Sequence, residues 1–512
     1  MQETREKEKT NEKASEKKGE ERKEKLKNWL KEPSNLAILL ILALAVVLRL
    51  YYFFLTKNQA LWWDEAAYGS VAKALLNPAL MESPILAREF IIRPLFLPLL
   101  WSVFIKFGFA EQIIKFIIIL IPSILSVFFV YLIAKETLNK RAALISALIF
   151  SVLWIHLFYS LRMLTDVPAL FFSLASIYFF IKAYRQDFAF KPFFWSIFFL
   201  ALSIMMRFPF GLVGFAYILF IIFTARFNAF RKKSFWLGGL IGLIPLFAFF
   251  IYNTIKTGFF FPALRDVSST STATQFAFYT IGFIPHILQN LFLVFFIAGL
   301  ILCLVELSLG FGTIRKNKKL GNHLFMLFIL AITLAFFIFI IKAAEDRYLF
   351  VGMISLVYFI SFSLDYIYGW IKKYNKAIAI IAVVLILAFG SYQQFKYGDA
   401  MIKDKSQSYA QMKEAFLWIK ENSSPSDIAM SYGELYSIYY AERNVYSIPA
   451  NETEIESQLS KVKPTFFVLS AYFPHQDYVN TYIQAHSNIF KPEKVVYVNE
   501  KPTVVVYRIQ SP

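Results

Sequence analysis

Two adjacent carboxylates, Asp64 and Glu65, follow two tryptophans in the run LWWDEAAYGSVAKALL, residues 61–76. Tryptophan favours the headgroup level of a membrane, so Trp62 and Trp63 are expected to hold these acids at the water boundary. A carboxylate there can take the proton of an attacking hydroxyl. Asp64 is equally suited to cap a helix, because Tyr68, Val71 and Leu75 then fall on one face at helical spacing. Other ionisable residues lie at the ends of apolar runs: Arg88, Arg93, Arg162, Asp166, Arg207, His286, Lys342 and the Glu345-Asp346-Arg347 group. Arginine grips a phosphate with a bidentate fork and lysine holds one as a point charge. A few acids among several cations, all on one side, fit a reaction whose leaving group is a lipid-linked phosphate. An ionisable group at a transmembrane helix centre costs about 2.5–3.5 kcal/mol, so such groups persist where they are paired or functional. Arg49, nearest a span interior, is close enough to the outer end to snorkel.

The elements that must position these residues are membrane spans. Of 512 residues 58% are hydrophobic, with 58 Phe and 28 Tyr, well above the apolar share of a soluble domain. The net charge of +18 is explained by basic cytoplasmic loops, so no nucleic-acid partner is expected. The single cysteine, Cys303, excludes an intramolecular disulfide and a thiolate metal cluster.

Residues 1–35 form a charged tail with too little apolar surface to order itself, expected in the cytoplasm. Eleven apolar runs follow within residues 36–396, at 36–56, 111–134, 142–159, 166–184, 192–207, 209–225, 234–253, 284–307, 322–341, 348–369 and 377–395. The segment 94–107, broken by Pro98, suits an interfacial helix. With the N-terminus inside, every cytoplasmic break is strongly basic, for example Lys182-Arg185-Lys191 and Arg315-Lys316-Lys318-Lys319. The breaks holding Asp64, Asp166, Asp266 and Asp346 then lie outside, and so does the C-terminus. The external loop between Asn253 and Pro285 has a Ser/Thr-rich centre flanked by aromatics, as a substrate lid would.

Residues 397–512 have the composition of an external soluble α/β domain. A helix over 409–421 with Met412, Phe416 and Ile419 inward precedes β-rich segments at 427–431, 445–448, 465–470, 495–498 and 503–508. None is followed by a glycine-rich phosphate turn, and the membrane part shows no nucleotide-sugar fold, which points to a donor delivered within the bilayer. The fold class is therefore mainly α, a polytopic membrane protein of about 11 spans with external interfacial helices and a C-terminal α/β domain. A lipid or glycan transporter is the alternative, but it would hold its charges near the midplane and show internal repeats.

WWDEAAYGSVAKALL (62–76), RPLFLPLLWSVFIKFG (93–108), SLRMLTDVPALFF (160–172) and DRYLF (346–350), in this order, resemble the protein O-mannosyltransferase and aminoarabinose-transferase group of C-type glycosyltransferases. The resemblance covers roughly 36–392 and points to a prokaryotic member. It implies transfer of a sugar from a polyprenyl or dolichyl phosphate, with inversion, to a protein, lipid or glycan acceptor at the outer face of the cell membrane. By the same resemblance Asp64 is the catalytic base and Asp166 the second acid, with Glu65 a partner acid or a first-turn carboxylate. Arg93, Arg347 and Tyr348 match positions facing donor phosphate or sugar, and Arg162, Arg207 and Lys342 are further candidates on that side. The chain departs from the oligosaccharyltransferase branch, since it has no WWDYG run and carries DE where that branch has two acids flanking one residue. Metal-dependent transfer of whole glycans is thus not expected; no cofactor is called for, though His286 with Glu65 leaves a divalent ion open.

Overall fold

The computed structural model describes residues 24, 27–28, 31–224, 227–258, 271–341 and 344–510. Lys342, nearly all of the charged tail and residues 259–270 of the loop after Asn253, with Asp266, lie outside the described residues; the second half of that loop's Ser/Thr-rich centre, from Ser271, opens a helix instead, because Ser271 caps it by accepting from the Thr274 N–H.

The first helices are α1 (Pro33–Thr56), α2 (Trp63–Ala74), α3 (Pro84–Ile92), α4 (Phe96–Lys106) and α5 (Glu111–Thr137). Then come α6 (Lys140–Val152), α7 (Trp154–Tyr159), α8 (Asp166–Arg185), α9 (Phe190–Met206), α10 (Phe208–Phe223) and α11 (Lys233–Lys256). The membrane part closes with α12 (Thr272–Leu309), α13 (Lys318–Ile341), α14 (Asp346–Ile371) and α15 (Lys376–Lys405). Helix occupies all eleven expected runs, and among the described residues eight helical segments are long and apolar enough to cross a membrane. The other three runs are the shorter α9 and α10 and the divided α6–α7. The segment expected at the interface is α4, a single short apolar helix that buries Leu97 and Trp101.

The division of 142–159 has a cause. Leu153 leaves helical geometry (ψ 113°), which frees backbone groups that no water can satisfy inside a bilayer. Buried Gln394 of α15 accepts from the Trp154 N–H at 3.0 Å. Its amide donates to Ile287 O (3.1 Å) and Leu288 O (2.8 Å), beside a second interruption in α12 at Gln289 (φ 57°, ψ 177°). Arg49 takes the other side of the first break: it donates to Ser151 O (3.1 Å), Ala45 O (3.2 Å) and Ser123 Oγ (2.6 Å), and its Nη2 meets His156 Nδ1 at 2.9 Å. Fully buried, Arg49 does not snorkel; broken helices gave it enough acceptors to stay inside.

After α16 (Ala410–Glu421), which buries Met412, Phe416 and Ile419 as expected, a five-stranded sheet forms. Its strands are β1 (Ile428–Ser431), β2 (Asn444–Tyr446), β3 (Phe466–Ser470), β4 (Phe490–Val498) and β5 (Lys501–Ile509), in the order β2-β1-β3-β5-β4. β1 pairs in parallel with β2 and β3, while β5 is antiparallel to β3 and β4. The start of β4 escapes the sequence pattern because Lys491, Pro492, Glu493 and Lys494 read as loop; Pro492 sits beside a bulge, where a missing N–H is tolerated.

Gln394→Leu should destabilise the fold, since it orphans one buried donor and two acceptors that cost about 1–3 kcal/mol apiece. Thermal unfolding of the detergent-purified protein should show a drop in midpoint of several degrees, with the exposed Gln407→Leu as control.

Candidate active site

The first turn of α2 sets the geometry. Glu65, not Asp64, closes the helix start: its carboxylate accepts from the Trp62 N–H at 2.8 Å, leaving Asp64 inside the first turn with both oxygens directed elsewhere. Capping by Asp64 is thereby replaced by the reciprocal use of the third helical residue. Glu65 is 1% exposed; it also accepts from the Met163 N–H at 2.5 Å and pairs with Arg162 at 3.8 Å. The Arg162 guanidinium, itself buried, lies 3.8 Å from the Trp62 ring centre. Glu65 and Arg162 thus join α2 to the 160–165 turn below the cleft. The tryptophans are not headgroup anchors: Trp62 packs on Arg162 and Phe158, and Trp63 meets Phe473 and Tyr436 edge-on.

Asp64 lies between two guanidiniums. Arg93 Nη2 donates to its Oδ1 at 2.9 Å and Arg347 Nη2 to its Oδ2 at 2.7 Å. Arg93 follows α3 in an extended conformation (φ −100°, ψ 147°), as a residue before proline must, which swings its side chain across the cleft. Its other donor, Nε, goes to Glu89 one helical turn back, and its guanidinium lies 4.9 Å from the Tyr68 ring centre. Arg347 enters from the 3₁₀ turn that opens α14 and also donates to Glu345. Burial by itself would raise the Asp64 carboxyl, but the Arg93 and Arg347 charges outweigh it and hold the group well below the usual carboxylate range.

Asp166, fully buried at the start of α8, pairs with Arg207, whose Nε lies 3.2 Å from Oδ1. Arg207 is the extended residue between α9 and α10 (φ −155°), and its guanidinium sits 5.3 Å from the Tyr348 ring centre. Tyr348 stacks on Phe337 with ring centres 4.7 Å apart. The structure therefore brings Asp64, Arg93 and Arg347 into direct contact, with Asp166, Arg207 and Tyr348 as the adjoining group. Arg88 is exposed and makes no ion pair among the described residues. His286 bonds to the Tyr397 hydroxyl at 2.5 Å and packs on Trp154; it does not meet Glu65, whose oxygens already accept from the Trp62 and Met163 N–H groups. Among the described residues no three His, Cys, Asp or Glu side chains converge as a metal-binding group.

Several residues here escaped the sequence reading. The Glu89–Arg93 pair was legible as an i,i+4 spacing. The C-terminal contributions had no local signal. Tyr440 accepts from the Leu61 N–H at 2.8 Å, Ser70 Oγ donates to Leu435 O at 3.0 Å, and Lys73 bonds Tyr439 O and Glu442, both at 2.7 Å. Gly69 permits this seating, because a Cβ there would come within 2.5 Å of the Tyr439 ring.

The model of the dolichyl-phosphate-mannose-protein mannosyltransferase family matches residues 92–252. The fold is similar to that of ArnT from Cupriavidus metallidurans bound to undecaprenyl phosphate, at a TM-score of 0.63 and 12% identity over 92% of this chain and 97% of that one. It is also similar to the archaeal oligosaccharyltransferase AglB from Archaeoglobus fulgidus, solved with an inhibitory peptide and a dolichol-phosphate (TM-score 0.56, 13% identity, 86% of this chain and 70% of that one). Comparison with curated protein sequences gives no match. The family model thus spans α4 to α11, and the polytopic fold of ArnT and AglB is shared along most of the chain.

Proposed function

We propose that the chain transfers one sugar from a polyprenyl or dolichyl phosphate to a hydroxyl of a protein, lipid or glycan acceptor at the outer face of the membrane, with inversion, and that Asp64 is the general base. The observation that carries this reading is the Asp64 carboxylate held between Arg93 and Arg347. Two forks converging on one carboxylate are also converging on a position a phosphate can take, because phosphate and carboxylate present similar oxygens to guanidinium. ArnT has been solved with undecaprenyl phosphate and AglB with a dolichol-phosphate and a peptide, which supports a lipid phosphate as donor and keeps a protein acceptor among the candidates. The basic breaks at the opposite helix ends support the outward orientation.

In the donor-free form Asp64 is a weak base, since two cations stabilise its charge. A donor phosphate entering the forks draws Arg93 and Arg347 away and frees a carboxylate to accept a proton. The acceptor oxygen then attacks the anomeric carbon from the face opposite the phosphate. Its proton passes to Asp64, the bond from anomeric carbon to phosphate oxygen breaks, and the electron pair leaves on the lipid phosphate between the arginines. Asp166 keeps Arg207 extended toward Tyr348, at the same cleft. Glu65 fixes the position of Asp64 through Trp62 and Met163 and takes no part in proton transfer.

Asp64→Asn should cut transfer about 10²–10⁴-fold, the usual worth of a general base, while donor binding persists. Glu65→Ala should instead lower thermal stability, leaving Arg162 buried without its carboxylate at a cost of about 3–5 kcal/mol. Near-normal turnover in a folded Asp64→Asn protein would remove Asp64 from the chemistry.

Arg347→Ala should weaken donor binding at least tenfold with a smaller effect on the rate of the bound complex, because a phosphate contact acts in ground and transition states alike. Equilibrium binding and single-turnover transfer with a polyprenyl-phosphate sugar separate the two.

The Asp64 bridges also set a pH dependence. A carboxyl held below its unfolded value of about 3.9 stabilises the fold fully above that pH, and the contribution is lost as pH falls toward the lower folded value. The difference in unfolding midpoint between the wild type and Asp64→Asn should stay constant from about pH 8 to 5 and shrink below about pH 4.

A further inference from the structure

At the ends of the spans opposite Asp64, a polar cleft of 380 Å³ opens between α5, α8, α13 and α14. Glu111 marks the active-site end of α5, since it accepts from the Tyr439 hydroxyl, and Thr137 marks the cleft end of the same helix, about 40 Å away at 1.5 Å per residue. Arg185, Lys318 and Lys319 supply positive charge to the cleft, with Asn139 and Asn322 as neutral polar groups. Its acids are already engaged: Glu136 by Arg185, and Asp365 by Arg141 and Asn139. Lys319 bonds Glu306 at 2.5 Å, whereas Lys318 makes no ion pair among the described residues. A narrower apolar slot of 80 Å³ adjoins this cleft, for Arg185, Lys318 and Asn322 line both. Phe180, Tyr184, Phe220 and Phe325 form its walls.

A cationic cleft adjoining an aromatic slot between membrane helices has the two-part chemistry of a lipid, with a negative head beside a hydrocarbon chain. We propose that this is a binding site for an anionic phospholipid of the leaflet opposite the active site, with the phosphate on Lys318 and Arg185 and the first part of a chain in the slot. The size of the cleft favours a headgroup larger than a bare phosphate. Asn322, whose amide donates to Thr137 O while its oxygen accepts no bond among the described residues, and the remaining lone pairs of the Glu136 and Asp365 carboxylates offer partners for headgroup hydroxyls, so the lipid that fits is a phospholipid with a polyol head such as phosphoglycerol. Basic pockets between helices on the cytoplasmic side are suited to acidic headgroups, and the basic breaks place this end of the spans there. The bound lipid would brace α8 against α13. The proposal does not depend on the chemistry assigned to Asp64.

The test is native mass spectrometry of the intact protein after exchange into phosphatidylglycerol, phosphatidylcholine or polyprenyl phosphate, with binding to lipid nanodiscs as a second measure. One phosphatidylglycerol should be retained in preference to phosphatidylcholine. Lys318→Glu, which removes an exposed cation, should weaken that retention about fivefold or more. Gly321→Ala narrows the slot from α13 without touching the cleft: its Cβ meets nothing nearer than Phe220 at 3.9 Å, so the variant should fold and yet hold the lipid less well. Equal retention of phosphatidylcholine, or retention unchanged in both variants, would overturn the site. Polyprenyl phosphate displacing phosphatidylglycerol with the same sensitivity to both variants would overturn the assigned lipid and mark a station for the donor carrier instead.

Discussion

An ionised carboxylate near a bilayer must be paired, and Asp64 is paired twice, by arginines that come from opposite ends of the membrane sequence. Each arginine in turn leans on a second acid, Glu89 or Glu345, so the charges at the cleft form a chain with Asp64 at its centre. Nearly everything else about the cleft follows from keeping this chain intact. α3 must end where Arg93 can reach across, α14 must begin in a tighter turn, and α2 must present Asp64 without spending its carboxylate on the helix start. Glu65 meets the last condition by closing the helix itself.

Helix interruptions are how the fold delivers cations. Arg93, Arg207 and Arg347 sit respectively before a proline, in an extended link between two helices and in a 3₁₀ turn. A side chain in a continuous helix points away from the axis, whereas one at an interruption can cross the gap to another helix. Interruptions inside a membrane are costly unless their backbone groups find partners, and Gln394 and Arg49 show the same protein meeting that cost deeper in the fold. Polarity buried far from the cleft thus belongs to the architecture that shapes it.

The C-terminal unit is part of the site's support. Leu435, Tyr439, Tyr440 and Glu442 hold α2 from above through backbone and side-chain bonds, and Tyr436 and Phe473 cover Trp63. The position of Asp64 is therefore fixed on one side by Glu65 and the 160–165 turn, and on the other by residues about 370 positions later in the chain.

The positions of the helices, the inward face of α16, most of the sheet and the one-sided gathering of acids and cations were legible in the sequence, because run length, periodicity and charge sorting are local properties. The partners were not. Nothing near Asp64 says that Arg93 and Arg347 take its oxygens, that Glu65 closes α2, or that Trp62 covers Arg162 while Trp63 meets the C-terminal unit. Tryptophan at the end of a span carries the same local pattern whether it faces headgroups or a folded domain, and Arg49 looks the same whether it snorkels or is caught by a broken helix. The sequence by itself determined the class of fold, the expected membrane segments and the chemistry available to the cleft. Only the tertiary structure decided which charges meet, since pairing across hundreds of residues depends on where helices end and cross.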